Sequence, residues 1–281
     1  MSDGGIGSGK TTIISLICSD HPQAYSQPIK IFGRGRLPQV GLPGISIFDI
    51  QGRIGQSSPE IHAFFPKNLS LRRTIENAWA ETFLGTPRLT YERDVMVEAV
   101  LRWFEPELNP MTRVTLRGEA PRAPKSYEEQ DLGWAEDLRF GDLPFTAQRV
   151  ALFLRAIVKK PDLIVLDEAF SGMDDYVRDK CILFLTWGHA RYYRYYTRDK
   201  VPLAKRQLTA TEPHSLGDVF MDGLTDDQAL ICVSHVKEEV PGVVREWMCL
   251  PKANEGKPAR FGRVPGPLND DSKRWNEIWG L

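Results

Sequence analysis

Gly4-Gly5-Ile6-Gly7-Ser8-Gly9-Lys10-Thr11-Thr12, followed by the apolar run Ile13-Ile14-Ser15-Leu16-Ile17, decides how the rest of the chain is read. Its first eight residues fit the phosphate-loop spacing G-x-x-x-x-G-K-[ST] at every position. Glycines in such a loop let the backbone curl until successive N–H groups and the start of the following helix converge on phosphate oxygens. Lys10 then neutralises the β- and γ-phosphates, and the Thr11 hydroxyl is a Mg²⁺ ligand. Gly4, Gly7, Ser8, Gly9, Lys10, Thr11 and Thr12 are the candidate nucleotide-binding residues of this stretch. The bland alternative is a flexible glycine-rich terminus. Only Met1-Ser2-Asp3 precede the loop, where a strand is expected, so its weight comes from partners further along.

The composition sets the frame for those partners. The chain has 281 residues, 42% of them hydrophobic and 26% charged, enough for one large α/β domain or two small ones. Lys and Arg number 36 against 37 Asp and Glu, so no overall basic field draws the chain to nucleic acid or acidic lipid. Cys18, Cys181, Cys232 and Cys249 stand far apart without C-x-x-C spacing, the pattern of reduced thiols. No run reaches the roughly 18 apolar residues of a membrane-spanning helix. The expectation is a soluble, cytoplasmic chain without membrane insertion, an organelle matrix being the other compartment left open.

Outward from the loop, Ile29–Arg34 reads as a short strand, and Ile45–Ile50 leads through a second apolar stretch to the Ser57-Ser58-Pro59 turn. Ser70 can cap a helix carrying Leu71, Ile75, Ala78, Trp79 and Phe83. A second periodic helix runs from Asp94 to Phe104. Between Glu105 and Asp142 prolines and charges predict mostly loop, with Trp134 and Leu138 as anchors. Pro144 to Val158 is helical by spacing and stops at Lys159-Lys160-Pro161. Leu163-Ile164-Val165-Leu166-Asp167-Glu168, four apolar residues ending in two acids, reads as a buried parallel strand with a site at its tip. Tyr176 to about Arg198 reads as a helix, and Asp199–Asp227 as a polar insertion. Ala229–His235 reads as another buried strand with a polar tip, and Ser272–Trp279 as a terminal helix.

These elements place a chemistry around the loop. A phosphate loop needs a second acid for its Mg²⁺, and Asp167 at a strand tip supplies one. Glu168, one residue on, can polarise an attacking water. His235 ends a third strand and can approach the γ-phosphate from the same carboxyl edge of the sheet. The bland reading of the acid pair is a solvated strand end, and that of His235 a neutral structural side chain. The order of loop, apolar strand, acid pair and Ser171-Gly172-Met173-Asp174 turn favours the functional one.

That order, with Ile54-Gly55-Gln56-Ser57-Ser58-Pro59-Glu60, Leu143-Pro144-Phe145-Thr146-Ala147-Gln148-Arg149 and Val233-Ser234-His235, resembles an ABC-type ATPase cassette over nearly the whole chain. The phrasing is most similar to the soluble twin-cassette ABC proteins of the bacterial photorepair or molybdate-associated type and their fungal relatives. The resemblance implies an α/β fold: a RecA-like P-loop NTPase with a parallel sheet, an ABC helical subdomain and its first strands missing. It also implies a core of 1–66 and 156–255, a helical subdomain 67–155, an insertion 186–228 and a tail 256–281. By position it makes Asp167 the metal-binding acid with Thr11, Glu168 the general base and His235 the switch histidine. Asp174 falls in the D-loop, and Glu60 where most cassettes have the Q-loop glutamine. The implied ligands are ATP and Mg²⁺, and the implied partner is a second cassette.

Three departures qualify the implied activity. The signature L-S-G-G-Q is replaced by Leu143–Ala147, where Pro144 has no N–H and side chains occupy the glycine positions. Ala169 stands where proline is common. The strand before the phosphate loop and the adenine-stacking aromatic are absent, so the chain is expected to be one half, or a truncated piece, of a longer twin cassette. The competing functions are a nucleotide-binding or interaction module without turnover and the ATP-binding subunit of a membrane transporter. Arg191-Tyr192-Tyr193-Arg194-Tyr195-Tyr196-Thr197-Arg198 interleaves bases and aromatics as single-strand binders do. A helix with its arginines in solvent is the favoured reading, and a nucleic-acid partner is not expected.

Overall fold

Gly9, at φ 83°, turns the chain into α1 (Lys10–Cys18), which begins without a side-chain cap. The computed structural model describes residues 9–115, 131–193, 208–211, 221–251, 256–268 and 271–279. The chain divides into two compact units, residues 1–54 with 232–281 and residues 55–231.

In the first unit α1 closes on Ser19, whose left-handed backbone lets Asp20 and His21 N–H groups donate to the Ser15 carbonyl. Buried Arg36 reaches back to donate to the Leu16 carbonyl at 2.7 Å, satisfying a carbonyl that the helix end would otherwise leave open. The expected strand at Ile29–Arg34 is a two-rung hairpin, β1 (Lys30–Ile31) and β2 (Arg34–Gly35). Phe32 and Gly33 both take positive φ at its turn, the geometry that matches the twist of a tight hairpin. α2 (Ile47–Arg53) starts in a reciprocal capping box between Ser46 and Asp49.

The second unit holds most residues of the sheet and the main core. β3 (Ile54–Ser57) leads through the Ser58 cap into α3 (Pro59–Phe64). Ser70 caps α4 (Leu71–Glu76), which tightens into a 3₁₀ turn over Asn77–Trp79 and leaves Phe83 beyond the helix. α5 (Tyr91–Trp103) follows. The stretch expected as loop contains α6 (Glu105–Leu108), α7 (Pro110–Thr115) and α8 (Gly133–Asp137). Prolines at 106 and 110 sit in first turns, where a missing N–H costs nothing, so they start helices rather than prevent them. Trp134 and Leu138 do pack against the core.

α9 (Phe145–Ile157) buries all but four of its positions and feeds β4 (Leu163–Asp167), which is buried at every residue. α10 (Asp175–Trp187) ends earlier than the expected Arg198. Gly188, at φ 56°, stops it, and a Cβ there would lie 1.8 Å from the Met221 carbonyl oxygen. Arg191-Tyr192-Tyr193 is therefore β5 (Arg191–Tyr193), paired antiparallel with β6 (Leu208–Ala210), and not helix; residues 194–198 lie outside the described residues. β7 (Ala229–Val233) completes a three-stranded sheet in the order β3-β4-β7, a parallel sheet within a mixed α/β fold. Its residues are exposed or half-buried, where a buried strand was expected, because β4 alone flanks it among the described strands.

The chain then returns to the first unit for the hairpin β8 (Glu246–Cys249) and β9 (Arg260–Arg263) and for α11 (Ser272–Trp279). Val240, Val264, Leu268 and Ile278 form its small core, with Trp247, Trp275 and Trp279 against it. Cys18 in this unit and Cys181 in the other are buried, and all four cysteines are free thiols. Burial pushes the Cys181 thiol well above its ordinary pKa.

Candidate phosphate and acid sites

Lys10 opens α1 directly after Gly9, and its Nζ lies 3.1 Å from His235 Nε2. An ammonium only donates, so Nε2 accepts and the imidazole proton sits on Nδ1. Two residues that stand 225 apart in the sequence are thus joined within one unit. Thr11 and Thr12 are exposed on the same first turn, where no side chain caps the helix. Such an end presents orphan N–H donors and a positive dipole. Gly4, Gly7 and Ser8 lie outside the described residues.

His235 rides on a turn fixed by Ser234, whose hydroxyl accepts from the Val236 N–H at 2.9 Å and donates to Glu239 Oε2 at 2.6 Å. The Trp279 ring stands beside the imidazole at a centroid distance of 5.8 Å. No motif in the sequence points to that tryptophan. Its signal was the position of Trp275 and Trp279 one helical turn apart in a terminal helix.

In the second unit Asp167 is the last residue of β4 and is buried. Glu168 takes φ 46°, a left-handed conformation costing a non-glycine residue about 1–3 kcal/mol and met most often at functional sites. The Ser171 N–H donates to the Glu168 carbonyl at 3.2 Å and closes the turn. Asp174 is exposed at the start of α10, and Glu60 is exposed in the first turn of α3.

Two residues from Glu60, His62 was passed over in the sequence. Its Nε2 donates to Gln148 Oε1 at 2.7 Å, and Gln148 Nε2 donates to the Leu143 carbonyl at 2.9 Å. Burial lowers the His62 pKa, the Gln148 bond opposing it and Arg149 and Lys67 adding to it. The neutral imidazole therefore pins the Leu143-Pro144-Phe145 segment to α3. Phe145 meets the His62 ring at 5.1 Å, and a Cβ on Gly172 would come within 2.8 Å of the Phe145 ring. The bulk of Phe145 is accommodated by the glycine of the Ser171–Asp174 turn.

No protein-family model matches the chain. An uncharacterised ABC transporter ATP-binding protein of Schizosaccharomyces pombe is 31% identical over 241 residues, 86% of this chain and 36% of that protein. The chain belongs to the ABC-type ATP-binding cassettes. An uncharacterised ABC transporter ATP-binding protein of Saccharomyces cerevisiae is 26% identical over 77% of this chain and 37% of its own length. The ABC transporter ATP-binding protein ModF of Escherichia coli is 30% identical over 60% of this chain and 28% of its own length. The cassette thus spans about a third of the length of the curated relatives it matches. No helix among the described residues is long and apolar enough to cross a membrane.

Proposed function

We propose that this cassette binds MgATP and hydrolyses it when apposed to a second cassette, which supplies the signature segment. The 3.1 Å contact between Lys10 and His235 carries the reading, because it brings a cation and a titratable imidazole to the open first turn of α1. Lys10 and the N–H groups of Thr11 and Thr12 hold the β- and γ-phosphates, with Gly4, Gly7, Ser8 and Gly9 forming the rest of the cradle. His235 addresses the terminal phosphate, and Glu168 takes the proton of the attacking water. Glu60 and Asp174 stand at the Q-loop and D-loop positions.

The donor set suits Mg²⁺. A threonine hydroxyl and an aspartate carboxylate are hard oxygen donors, and Mg²⁺ is characteristically held by one or two such protein oxygens together with phosphates and water. By the family resemblance, Thr11 and Asp167 would be the two oxygen donors. When bound, the ion neutralises charge developing on the phosphate oxygens. The division into a core of 1–66 and 156–255 and a helical subdomain of 67–155, and a cytoplasmic location, belong to the same proposal.

Titration calorimetry tests the binding half. Lys10→Ala and Asp167→Asn should each abolish Mg-dependent ATP binding, and unchanged affinity in both would remove the phosphate-site reading. A second reading, nucleotide binding without turnover, is favoured by the N-terminus of α9, where Pro144 offers no capping side chain and Phe145 covers the turn. Phosphate release separates the two. Turnover with a signature-competent second cassette, suppressed by Glu168→Gln, supports hydrolysis, and none with such a partner supports the binding module.

A further inference from the structure

α11 lies outside every sequence motif, yet the turn carrying His235 is tied to both of its ends. At the start, Lys237 Nζ donates to Ser272 Oγ over 2.6 Å. At the end, the Trp279 indole meets the His235 imidazole at 5.8 Å with the planes tilted by 47°. Eight residues of helix measure about 12 Å, so side chains two residues apart on the turn grip opposite ends of one rod. The rod itself is fixed: Ile278 is buried in the core of the first unit, and the Arg260 guanidinium donates to the Ile278 carbonyl. Trp275 stands 5.5 Å from Trp279, with the two ring planes tilted by 47°.

We infer that Trp279 is a positioning residue for the phosphate site, holding the His235 imidazole in the orientation and tautomer in which Nε2 accepts from Lys10 and the Nδ1 proton is left to donate to a terminal phosphate. The inference rests on the ATP reading given above. Without a wall the imidazole turns about its side-chain bonds, and Nε2 no longer faces Lys10. An aromatic neighbour at this separation favours the held orientation by about two- to tenfold. Trp279 is placed against the imidazole assigned to the terminal phosphate, and a nucleoside triphosphate carries its base at the opposite end. It is therefore not the base-stacking aromatic.

The test uses the full chain with ¹⁵N-labelled histidine and needs two readouts. In the wild type, His235 should show a protonated Nδ1 and an accepting Nε2. Trp279→Ala should give a mixture of tautomers, and Trp279→Phe should keep the wild-type state. Trp279→Leu, which retains apolar volume on the small core, serves if alanine does not fold. Discrimination between ADP and ATP is the second readout, since only the terminal phosphate meets His235. The ratio of their Kd values should fall about two- to tenfold in Trp279→Ala and be preserved in Trp279→Phe, whereas a purely structural role would weaken both nucleotides together. An unchanged tautomer or an unchanged ratio in the alanine and leucine variants overturns the inference. A wild-type chain that binds neither nucleotide refutes the ATP reading instead, and the tautomer measurement, which needs no ligand, then decides the positioning alone.

Discussion

Acidification should destabilise the second unit through one imidazole. His189 is 2% exposed, set between Trp103 at 4.8 Å and Phe184 at 5.1 Å, and its Nδ1 accepts from the Met221 N–H at 2.9 Å. Burial lowers its pKa from 6.5 to about 4, a backbone bond to Ala99 opposing the fall and the Lys180 charge deepening it. As pH drops through 6.5 the unfolded chain takes up this proton and the folded chain does not. The stabilisation is therefore complete above pH 6.5 and disappears progressively towards pH 4. At 1.36 kcal/mol for each pH unit between the two values, the full effect is about 3 kcal/mol. Urea unfolding of the wild type and His189→Asn at several pH values between 7.5 and 4.5 isolates it, because the carboxylates titrate in both proteins. The wild type should lose about 2–3 kcal/mol more than the variant, a midpoint difference of roughly 1 M urea. Parallel pH profiles would refute the reasoning.

Substitutions at three further places probe the packing. Gly55→Ala places a Cβ 1.8 Å from the Ala156 carbonyl oxygen and 2.8 Å from the Pro161 ring, and should cost at least about 3 kcal/mol, seen as a lowered melting temperature. Lys180 and Glu107 form a buried pair at 2.6 Å, with the Trp103 carbonyl as a second acceptor. Glu107→Ala should cost about 3–5 kcal/mol in urea unfolding, and Glu107→Ala with Lys180→Met should recover much of it, since the stranded charge is gone. Gly172→Ala strains a φ of 76° and strikes the Phe145 ring. Combining it with Phe145→Ala should reveal a coupling of about 0.5–3 kcal/mol in a double-mutant cycle, and strict additivity would exclude the contact.

The parts of the fold legible in the sequence are those in which one physical requirement dominates. Leu163–Leu166 is apolar on both faces because it belongs to the central strand, so the strand was legible, although Glu168, read as part of its tip, lies one residue beyond its end at Asp167. Phe145–Ile157 announces itself by helical spacing and a preceding proline. α10 was overextended because Trp187 to Arg198 keeps a helix-compatible pattern, while the reason it stops is tertiary: residues 188 and 223 allow two backbones to touch, a Cβ on Gly223 meeting the Thr186 carbonyl oxygen at 2.1 Å. The β8–β9 hairpin escaped notice because its outward face mixes Glu246, Met248, Phe261 and Arg263, with no clean alternation. The site shows the same split. Lys10 and His235 were singled out by motifs, and they lie 3.1 Å apart. His62 and Trp279 meet their partners through ring contacts that belong to no motif.

The burial of Cys18 in one unit and Cys181 in the other gives each unit its own chemical clock. A thiolate is the species that reacts with alkylating reagents, and a thiol closed off from solvent waits for the surrounding structure to open. With Cys232 and Cys249 replaced by serine, the two remaining modification rates time the opening of the first unit and of the second unit separately. Nucleotide that protects Cys18 alone stabilises only its own unit, and nucleotide that slows both reactions together couples the two halves of the chain.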